Sequence, residues 1–384
     1  MVNQLKGIKD VLSKKIKTHG SISFRDFMEI CLYEDKYGYY SQEQIKIGKN
    51  GDFVTAPHTS KLFGYLLSVQ IKEFFDILEK DSSLNICEFG AGTGVLAKDI
   101  IEYFMNFYPD IYERLQYIVV EPISKRRQIL KEKFIDFQDH FKVIEDFKET
   151  KGFKGVVVAN ELFDAFPVHL IEKVDQDFFE IFVGLDKSGN LKEERVEISG
   201  SDRELREYIN KYLKKLPDNY RTEVNLDMKK WIRNFSSDFK RGFCLIIDYG
   251  YPRDDYFADF RNRGTLLGYT RQRVTEDFFR YPGLIDMTAH VNFSDAAEWF
   301  QGAGFRCEGF CPQWAFLGGL DIEQTIEKAF GKLEPFSPVM AGVKSLIFPQ
   351  GMGESHKVFV VSRDVEPKPK LKGFKMKNDL ARLK

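Results

Sequence analysis

Residues 86–96 read ICEFGAGTGVL, a run in which an apolar strand ends in an acid, crosses three glycines and enters an apolar-striped helix. Glycine at positions 90, 92 and 94 lets the backbone turn tightly and leaves no Cβ between the main chain and a bulky ligand. A strand, a glycine turn and a helix in this order predict an α/β fold that binds a nucleoside. The alternative is a turn that binds nothing, and three glycines would weaken such a turn without benefit.

The spacing of the glycines selects the ligand. A dinucleotide fingerprint places its third glycine at position 95, which is Val95 here, and the observed pattern is G-x-G-x-G. This spacing favours S-adenosylmethionine over NAD. The helix that begins at Gly94 offers free N–H groups to the carboxylate of that cofactor, and Glu88 can meet its ammonium group directly or through water. The predicted cofactor-binding residues of this loop are therefore Glu88, Gly90, Gly92 and Gly94.

Two acids that follow the next strands are further cofactor candidates. Residues 117–122 read YIVVEP, a strand that ends in Glu121, where a carboxylate can accept hydrogen bonds from both ribose hydroxyls. An acid after a strand is commonplace, so the weight of Glu121 comes from its pairing with the glycine loop. Asp146, after the following strand, is a candidate for the adenine amino group, with a solvent-facing acid as the alternative.

The methyl-accepting half of the site is predicted at residues 159–167, which read ANELFDAFP. This run ends a β-branched strand, and open α/β sheets build their active sites at the carboxyl ends of strands. Glu161 and Asp164 could hold a guanidinium group in bidentate fashion, with Asn160 beside them, which indicates a cationic substrate. Methyl transfer asks mainly for in-line positioning and charge management, so no metal ion is predicted. The alternative for Asp164 is a helix cap.

Strands and helices alternate from residue 84 to residue 160, which predicts a parallel sheet covered on both faces, with the strand near 155 in its middle. Two helices precede this region, antiparallel strands follow it, and the sheet is completed near the end of the chain. The predicted strands are 84–89, 116–121, 142–144, 155–160, 168–174, 178–185, 191–198, 305–310 and 356–361, and residues 242–250 resume the pattern of an apolar core strand that ends in glycine. The predicted helices are 22–36, 60–78, 95–107, 124–134, 201–215, 223–239 and 293–303.

These elements predict four parts of the chain. Residues 1–80 form an N-terminal helical cap with a loop that covers the cofactor, and 81–175 with 240–362 form the core. Residues 176–239 are an inserted α+β lobe. Residues 363–384 are rich in Lys and Arg and poor in apolar residues, which is typical of a mobile surface tail, with an arm that binds an acidic partner as the alternative.

Composition narrows the class of protein. Lys plus Arg total 57 against 58 for Asp plus Glu, so no global basic field favours nucleic acid as a partner. Five scattered cysteines indicate a reducing compartment, and Cys307 and Cys311 lack the second pair that a structural zinc site needs. No stretch approaches the eighteen or so apolar residues of a membrane-spanning helix. The first twenty residues resemble neither a signal peptide nor a transit peptide, and a cytoplasmic protein is predicted.

Taken with the glycine loop, several motifs resemble the MidA-like methyltransferase family along nearly the whole chain. They are IGKNGDFVTAP at 47–57, NELFDAFPV at 160–168, IIDYG at 246–250, DMTAHV at 286–291 and GMGE at 351–354. The resemblance implies a Rossmann-like, seven-strand methyltransferase core with an N-terminal helical cap and an inserted lobe. It also implies that a loop with Gly51, Asp52 and Phe53 closes over the cofactor.

The same family has a mitochondrial branch that dimethylates an arginine of a respiratory complex I subunit. The sequence as a whole therefore predicts an S-adenosylmethionine-dependent methyltransferase that acts on arginine of a protein partner. Two alternatives stay open at this point. One is an assembly factor that keeps the cofactor pocket without the chemistry, and the other is an NAD-linked oxidoreductase, which Val95 disfavours.

Overall fold

The computed structural model describes residues 2–42, 55–78, 84–270, 273–332, 334 and 337–384. Gly51, Asp52 and Phe53 lie outside the described residues, so their role over the cofactor stays a prediction. The helices are α1 (Val2–His19), α2 (Phe24–Tyr33), α3 (Ala56–Thr59), α4 (Leu62–Leu78), α5 (Val95–Phe107), α6 (Pro109–Tyr112), α7 (Ser124–Lys133), α8 (Arg203–Tyr208), α9 (Leu226–Asp238), α10 (Arg253–Tyr256), α11 (Phe293–Gly302), α12 (Gln313–Gly319), α13 (Ile322–Phe330) and α14 (Pro338–Ile347).

The strands fall into a central sheet, an antiparallel sheet and a small third sheet. They are β1 (Ile22–Ser23), β2 (Leu84–Phe89), β3 (Leu115–Val120), β4 (Phe141–Ile144), β5 (Phe153–Asn160), β6 (His169–Val174), β7 (Asp177–Leu185), β8 (Leu191–Glu197), β9 (Tyr220–Val224), β10 (Phe239–Tyr251), β11 (Leu267–Thr270), β12 (Arg273–Thr275), β13 (Asp286–Thr288), β14 (Val291–Asn292), β15 (Arg306–Pro312) and β16 (His356–Arg363).

The central sheet has the strand order β15-β16-β10-β5-β2-β3-β4, with the short β14 beside β10. Strands β10, β5, β2, β3 and β4 pair in parallel, whereas β16 pairs antiparallel with both β10 and β15. The predicted parallel sheet is confirmed, and the strand near 155 lies in its middle. Because β16 is reversed, it begins at the edge where the parallel strands end, so its first residues face the predicted active site.

Helices cover both faces of the central sheet, as the alternation predicts. On one face α4 and α5 pack with the C-terminal helices, and Phe74 of α4 stacks on Phe243 of β10 with ring centroids 4.2 Å apart. On the other face α9 and α11 bury Phe235 and Phe300 against the strands. Burial of an aromatic side chain of this kind stabilises the fold by about 1.5–3 kcal/mol, so these two layers hold the strand ends of the site in place.

The antiparallel sheet has the order β1-β7-β6-β9, with β8 on β7. The predicted antiparallel strands are confirmed, and Asp186 closes the hairpin between β7 and β8 by accepting N–H bonds from Ser188 and Asn190, each at 2.8 Å. The sheet also takes β6 from before residue 176 and β1 from the N-terminal region, where α1 and α2 pack on it. Strand β9 has no counterpart among the predicted elements.

The C-terminal segment is packed into the fold and is not the mobile tail that its charge suggests. Phe374 is buried against Phe316, with ring centroids 5.4 Å apart, and Leu371 and Leu383 are buried as well. The backbone N–H of Gly373 donates to the side-chain oxygen of Gln70 in α4 at 3.0 Å. A few widely spaced apolar residues are enough to hold this segment, and they form no periodic pattern that a sequence analysis can detect.

No helix in the described part of the chain is long and apolar enough to cross a bilayer. The five cysteines are buried and form no disulfide. Helix α1, at the start of the chain, turns Ile8, Leu12 and Ile16 inward, and all three are buried against α2 and the antiparallel sheet. The composition of these first residues is therefore dictated by packing.

Candidate active site

A cleft of about 1310 Å³ opens at the carboxyl ends of the parallel strands, where the N-terminal cap and α9 face the central sheet. It brings together most of the residues that the sequence singles out. Its walls include the predicted residues Glu88, Gly90, Gly92, Glu121, Asp146, Asn160, Glu161 and Asp164. Cofactor candidates lie at the ends of β2, β3 and β4, and acceptor candidates lie after β5 in the same cleft. One ligand can therefore reach both groups.

The glycine loop adopts the left-handed backbone conformation for which glycine is needed. The φ angles of Gly90, Gly92 and Gly94 are 70°, 54° and 75°. A Cβ on Gly94, which precedes the first residue of α5, would lie 2.8 Å from the ring of Phe134. The three glycines therefore serve two purposes, since Gly90 and Gly92 line the cleft and Gly94 sits behind them against α7.

His58, a residue that sequence reasoning missed, ties this loop to the cap. Its Nδ1 lies 2.8 Å from Oγ1 of Thr55 and its Nε2 lies 2.9 Å from Oγ1 of Thr93, inside the loop. Burial lowers the pKa of His58, which favours the neutral ring, and a neutral imidazole can bridge the two hydroxyls as donor to one and acceptor from the other. In the sequence, His58 could have been found from its position directly after the motif at 47–57 that resembles the family.

Glu88 is buried at the end of β2 and accepts a hydrogen bond of 2.7 Å from the hydroxyl of Tyr117 on β3. Burial raises the pKa of this carboxyl to about 7, against the opposing effect of the Tyr117 hydroxyl. Within the part of the chain that the structure describes, no cation pairs with Glu88, and a bound positive charge would lower its pKa. The side chain thus suits the ammonium group for which it was predicted.

Glu121 and Asp146 differ in their availability to a ligand. Glu121 is buried in the wall of the cleft and accepts the N–H of Ile123 at 2.9 Å, and burial raises its pKa. Asp146 is half exposed, accepts the N–H of Lys148 at 3.0 Å as the cap of a short 3-10 helix, and has a lowered pKa because of this bond and the Lys148 ammonium. Asp146 already has partners, so Glu121 is the better placed of the two acids.

The acceptor candidates follow β5 directly. Asn160 donates to Oε1 of Glu161 at 3.3 Å, and the backbone N–H of Glu161 donates to the carbonyl of Ile247 at 2.8 Å. Glu161 has a φ of 49°, a left-handed conformation that is rare for a residue with a side chain. Asp164 caps no helix, because strand β6 follows its turn. The hydroxyl of Tyr249 donates to Oδ2 of Asp164, and Oδ1 is buried without a partner among the described residues.

Asp248 and Tyr249 of β10, which the sequence analysis cited only within a family motif, organise this turn from behind. The buried carboxylate of Asp248 accepts the backbone N–H groups of Phe163 and Asp164 at 2.9 and 3.3 Å. Burial and the neighbouring Glu161 raise the pKa of Asp164 to about 7, and burial with Asp164 raises that of Asp248 further. The carboxyl groups of Glu161, Asp164 and Asp248 are thus held close together. A bound cation would reduce the repulsion between their charged forms.

The cap supplies an aromatic wall opposite these acids. Tyr33 and Tyr40 stack with centroids 5.5 Å apart and an angle of 23° between the rings. The Tyr33 hydroxyl donates to the carbonyl of Ala165 at 2.8 Å, and the Tyr40 hydroxyl donates to the buried Asp286 at 2.7 Å. All of these residues line the cleft. The guanidinium of Arg126, which also lines the cleft, already lies over the Tyr40 ring, 5.6 Å from its centroid. This wall therefore already accommodates a planar cation against an aromatic ring.

Comparison with known proteins agrees with this geometry. Residues 66–311 match a family described as "Putative S-adenosyl-L-methionine-dependent methyltransferase". A Danio rerio relative, named protein arginine methyltransferase NDUFAF7, mitochondrial, is 26% identical, with 93% of this chain and 87% of the relative covered. The Homo sapiens protein of the same name is 25% identical, with 91% and 82% covered.

Among solved structures, a methyl transferase candidate from Burkholderia thailandensis bound to S-adenosyl-homocysteine matches with a TM-score of 0.87 and 29% identity. The match covers 98% of this chain and 96% of that one. The predicted fold class and the predicted cofactor are both confirmed by these comparisons.

The predicted cytoplasmic location is wrong on this comparison, because the curated relatives are named as mitochondrial proteins. The prediction rested on the composition of the first twenty residues. Those residues form helix α1, and its apolar side is buried in the fold. Their pattern therefore reports on packing and carries no information about the compartment.

Proposed function

The chain belongs to the family of S-adenosyl-L-methionine-dependent methyltransferases whose match spans residues 66–311, and on that premise we propose that it methylates an arginine side chain of a protein substrate. The curated relatives that cover most of the chain are named protein arginine methyltransferases, which supports this choice of acceptor. The NAD-linked alternative is excluded, because the family is described as dependent on S-adenosyl-L-methionine. The solved relative is bound to S-adenosyl-homocysteine, which this cofactor becomes after it gives up its methyl group.

One observation carries the proposal, namely the unpaired acceptors at the acceptor end of the cleft. Within the described residues, Oδ1 of Asn160 and Oδ1 of Asp164 are buried without a hydrogen-bond partner. Buried acceptors of this kind cost about 1–3 kcal/mol each when left unpaired. A guanidinium group presents five N–H donors in one plane, and its charge would favour the ionised form of Asp164, whose pKa is raised.

The residues present fit the cofactor. The left-handed glycines leave the backbone open to the cleft, and Glu88 and Glu121 offer carboxylates to its ammonium group and its ribose. When bound, S-adenosylmethionine supplies a methyl group on a positively charged sulfur. The chain then has to fix one guanidinium nitrogen in line with that methyl group and shield both from water, and Asn160, Glu161 and Asp164 are the groups that we assign to this task.

The raised pKa of Glu88 gives this assignment a measurable pH dependence. The cofactor's ammonium group favours the ionised carboxylate, so below pH 7 a proton must leave Glu88 when the ligand binds. We expect the affinity for S-adenosylhomocysteine to fall by up to about tenfold per pH unit as the pH drops below 7, and to level off above it. Isothermal titration calorimetry from pH 5.5 to 8.5 measures this dependence. The Glu88→Gln variant should bind S-adenosylhomocysteine at least about tenfold more weakly, and its affinity should change less with pH.

The matched control for this experiment is Asp164→Asn. Burial raises the pKa of Asp164 to about 7 as well, but this residue lies at the acceptor end of the cleft. The variant should therefore keep the pH dependence of cofactor binding. A profile that flattens in Asp164→Asn and persists in Glu88→Gln would move the ammonium site away from Glu88.

The proposed acceptor is tested by the chemical identity of the product. The wild-type protein is incubated with S-adenosylmethionine labelled in its methyl group and with total protein from cells that lack this chain. Hydrolysis and amino-acid analysis should then show the label in methylated arginine. Label recovered only in lysine, glutamine or a carboxyl ester would contradict the proposal, and the labelled protein identifies the substrate.

A further inference from the structure

Behind Glu161 lies His356, a buried histidine that does not line the cleft. His356 is the first residue of β16 and pairs in register with Tyr249 of β10. Its Nε2 lies 3.7 Å from Oε1 of Glu161 and has no hydrogen-bond partner among the described residues. On the other side of the ring, Nδ1 lies 3.1 Å from Oγ of Ser355, an exposed residue. The imidazole thus connects a carboxylate in the cleft to the surface.

Glu161 lies between the cleft and His356, and its neighbours hold it in this position. Its left-handed backbone is fixed by the bond to Ile247, and Asn160 contacts the same Oε1 that faces His356. Glu161 lines the cleft, whereas His356 packs edge-on against the ring of Tyr249 with centroids 5.4 Å apart. A substrate in the cleft can therefore touch Glu161, and His356 can act only through Glu161.

We propose that Glu161 and His356 form a proton relay, in which the carboxylate takes the proton released by methyl transfer and passes it to Nε2 of the imidazole. This inference rests on the proposed function, since it assumes an acceptor nitrogen that carries hydrogen. His356 is accordingly a positioning and relay residue, while Glu161 contacts the substrate.

The relay follows from the balance of the reaction. The nitrogen lone pair forms the new N–C bond, and the C–S bond breaks with its electron pair left on sulfur. A guanidinium group enters with one positive charge and the methylated product leaves with one, so one N–H bond must break with its electrons kept by nitrogen. The proton passes to Oε1 of Glu161. A rotation of this carboxyl group that shortens its 3.7 Å separation from Nε2 to hydrogen-bond distance then hands the proton to the imidazole, which releases its Nδ1 proton toward Ser355 and solvent.

Titratable and charged groups from several neighbouring elements surround His356. Glu161 and Asp164 face it from the turn after β5, Tyr249 from β10 and His290 from the segment before β14, and Lys357 follows it in β16. Burial lowers the pKa of Lys357, and its ammonium group is held by Glu354. The nearest of these groups to Nε2 is the carboxyl of Glu161, with its Oε1 at 3.7 Å.

His290 provides a matched control for the test. It packs against the same ring of Tyr249, with centroids 5.3 Å apart, and burial lowers its pKa to about 4. We expect His356→Asn to lower kcat about 100-fold, the lower end of the range for lost general base catalysis, with KM and the Kd for S-adenosylhomocysteine nearly unchanged. His290→Asn should keep most of kcat. Equal losses of kcat in both variants, tracking equal losses of Tm, would assign both histidines to packing and overturn the relay.

Two further measurements separate proton transfer from packing. In His356→Ala, added imidazole should restore part of the rate, while pyrazole, a ring of the same size and a far weaker base, should not. In protein with ¹⁵N-labelled histidine and bound S-adenosylhomocysteine, Glu161→Gln should shift the Nε2 signal of His356 more than that of His290. Equal rescue by both rings, or equal shifts of both histidines, would contradict the relay.

The relay and the proposed function fail in different ways. The rate of methyl transfer by His356→Asn relative to the wild-type protein is measured from the label on total protein. This ratio does not depend on which amino acid receives the label. Label in another amino acid would contradict arginine as the acceptor. An unchanged kcat in His356→Asn would contradict the relay alone.

Discussion

Replacing Gly90 by valine is expected to abolish cofactor binding. Gly90 has a φ of 70° and lines the cleft, and its Cβ would already lie 3.4 Å from Leu162. A branched side chain there would occupy the space in which the cofactor approaches the backbone, and the left-handed conformation adds about 1–2 kcal/mol of strain. We expect the Kd for S-adenosylhomocysteine to rise at least ~100-fold, equivalent to about 2.8 kcal/mol, measured by calorimetry.

Gly189→Val is the matched control for this substitution. Gly189 has a φ of 82°, lies in the exposed hairpin turn between β7 and β8, and would meet nothing within 4 Å through a Cβ. Both variants should lose a similar amount of stability, as measured by Tm, and only Gly90→Val should lose the ligand. Normal binding by Gly90→Val, or a similar loss of binding in Gly189→Val, would show that the backbone of the glycine loop does not contact the cofactor.

Glu161→Gln is expected to have the second large effect, on transfer and not on binding. The amide keeps the size of the side chain, but it cannot pair with a guanidinium charge or accept its proton. We expect the rate of methyl transfer to fall by about 10²–10⁴-fold, as for the loss of a general base. Single-turnover assays with labelled cofactor measure this rate, and the Kd for S-adenosylhomocysteine should change by less than about twofold, since Glu161 lies at the acceptor end.

Glu145→Gln serves as the control for a carboxylate that lines the same cleft without this role. Its side chain is 65% exposed and pairs with Arg127 at the rim. This variant should transfer methyl groups at nearly the wild-type rate. If Glu161→Gln retained full activity while Asp164→Asn lost it, Asp164 and not Glu161 would be the carboxylate that contacts the acceptor nitrogen.

The parts of the fold that the sequence predicts are those with a local signal. Strand β2, the left-handed glycines and α5 follow one another within a few residues, and each has a periodicity or a backbone requirement of its own. Glu88, Glu121, Asn160, Glu161 and Asp164 share a cleft because parallel strands end at one edge of the sheet, which is a rule of topology.

The parts that the sequence does not predict depend on pairing between distant segments. Tyr249 and His356 meet because β16 runs antiparallel beside β10, and nothing near either residue specifies that register. His58 contacts Thr93 only because α3 packs beside the glycine loop. Strand β9 lies mostly between the predicted helices 201–215 and 223–239 and overlaps the second by two residues, and it forms by pairing with the distant β6.

The contacts of the C-terminal segment bear on the order in which the protein matures during synthesis. Gly373 bonds to Gln70 of α4, and α4 in turn lies against α5, where Gly64 faces Asp99. A ribosome releases residues 371–383 long after the glycine loop has emerged, and native packing around the loop's helices is completed only by contacts of very high sequence separation. The packing of this segment on α4 is therefore among the last contacts that a growing chain can make, and it supports the glycine loop only indirectly, through α4 and α5.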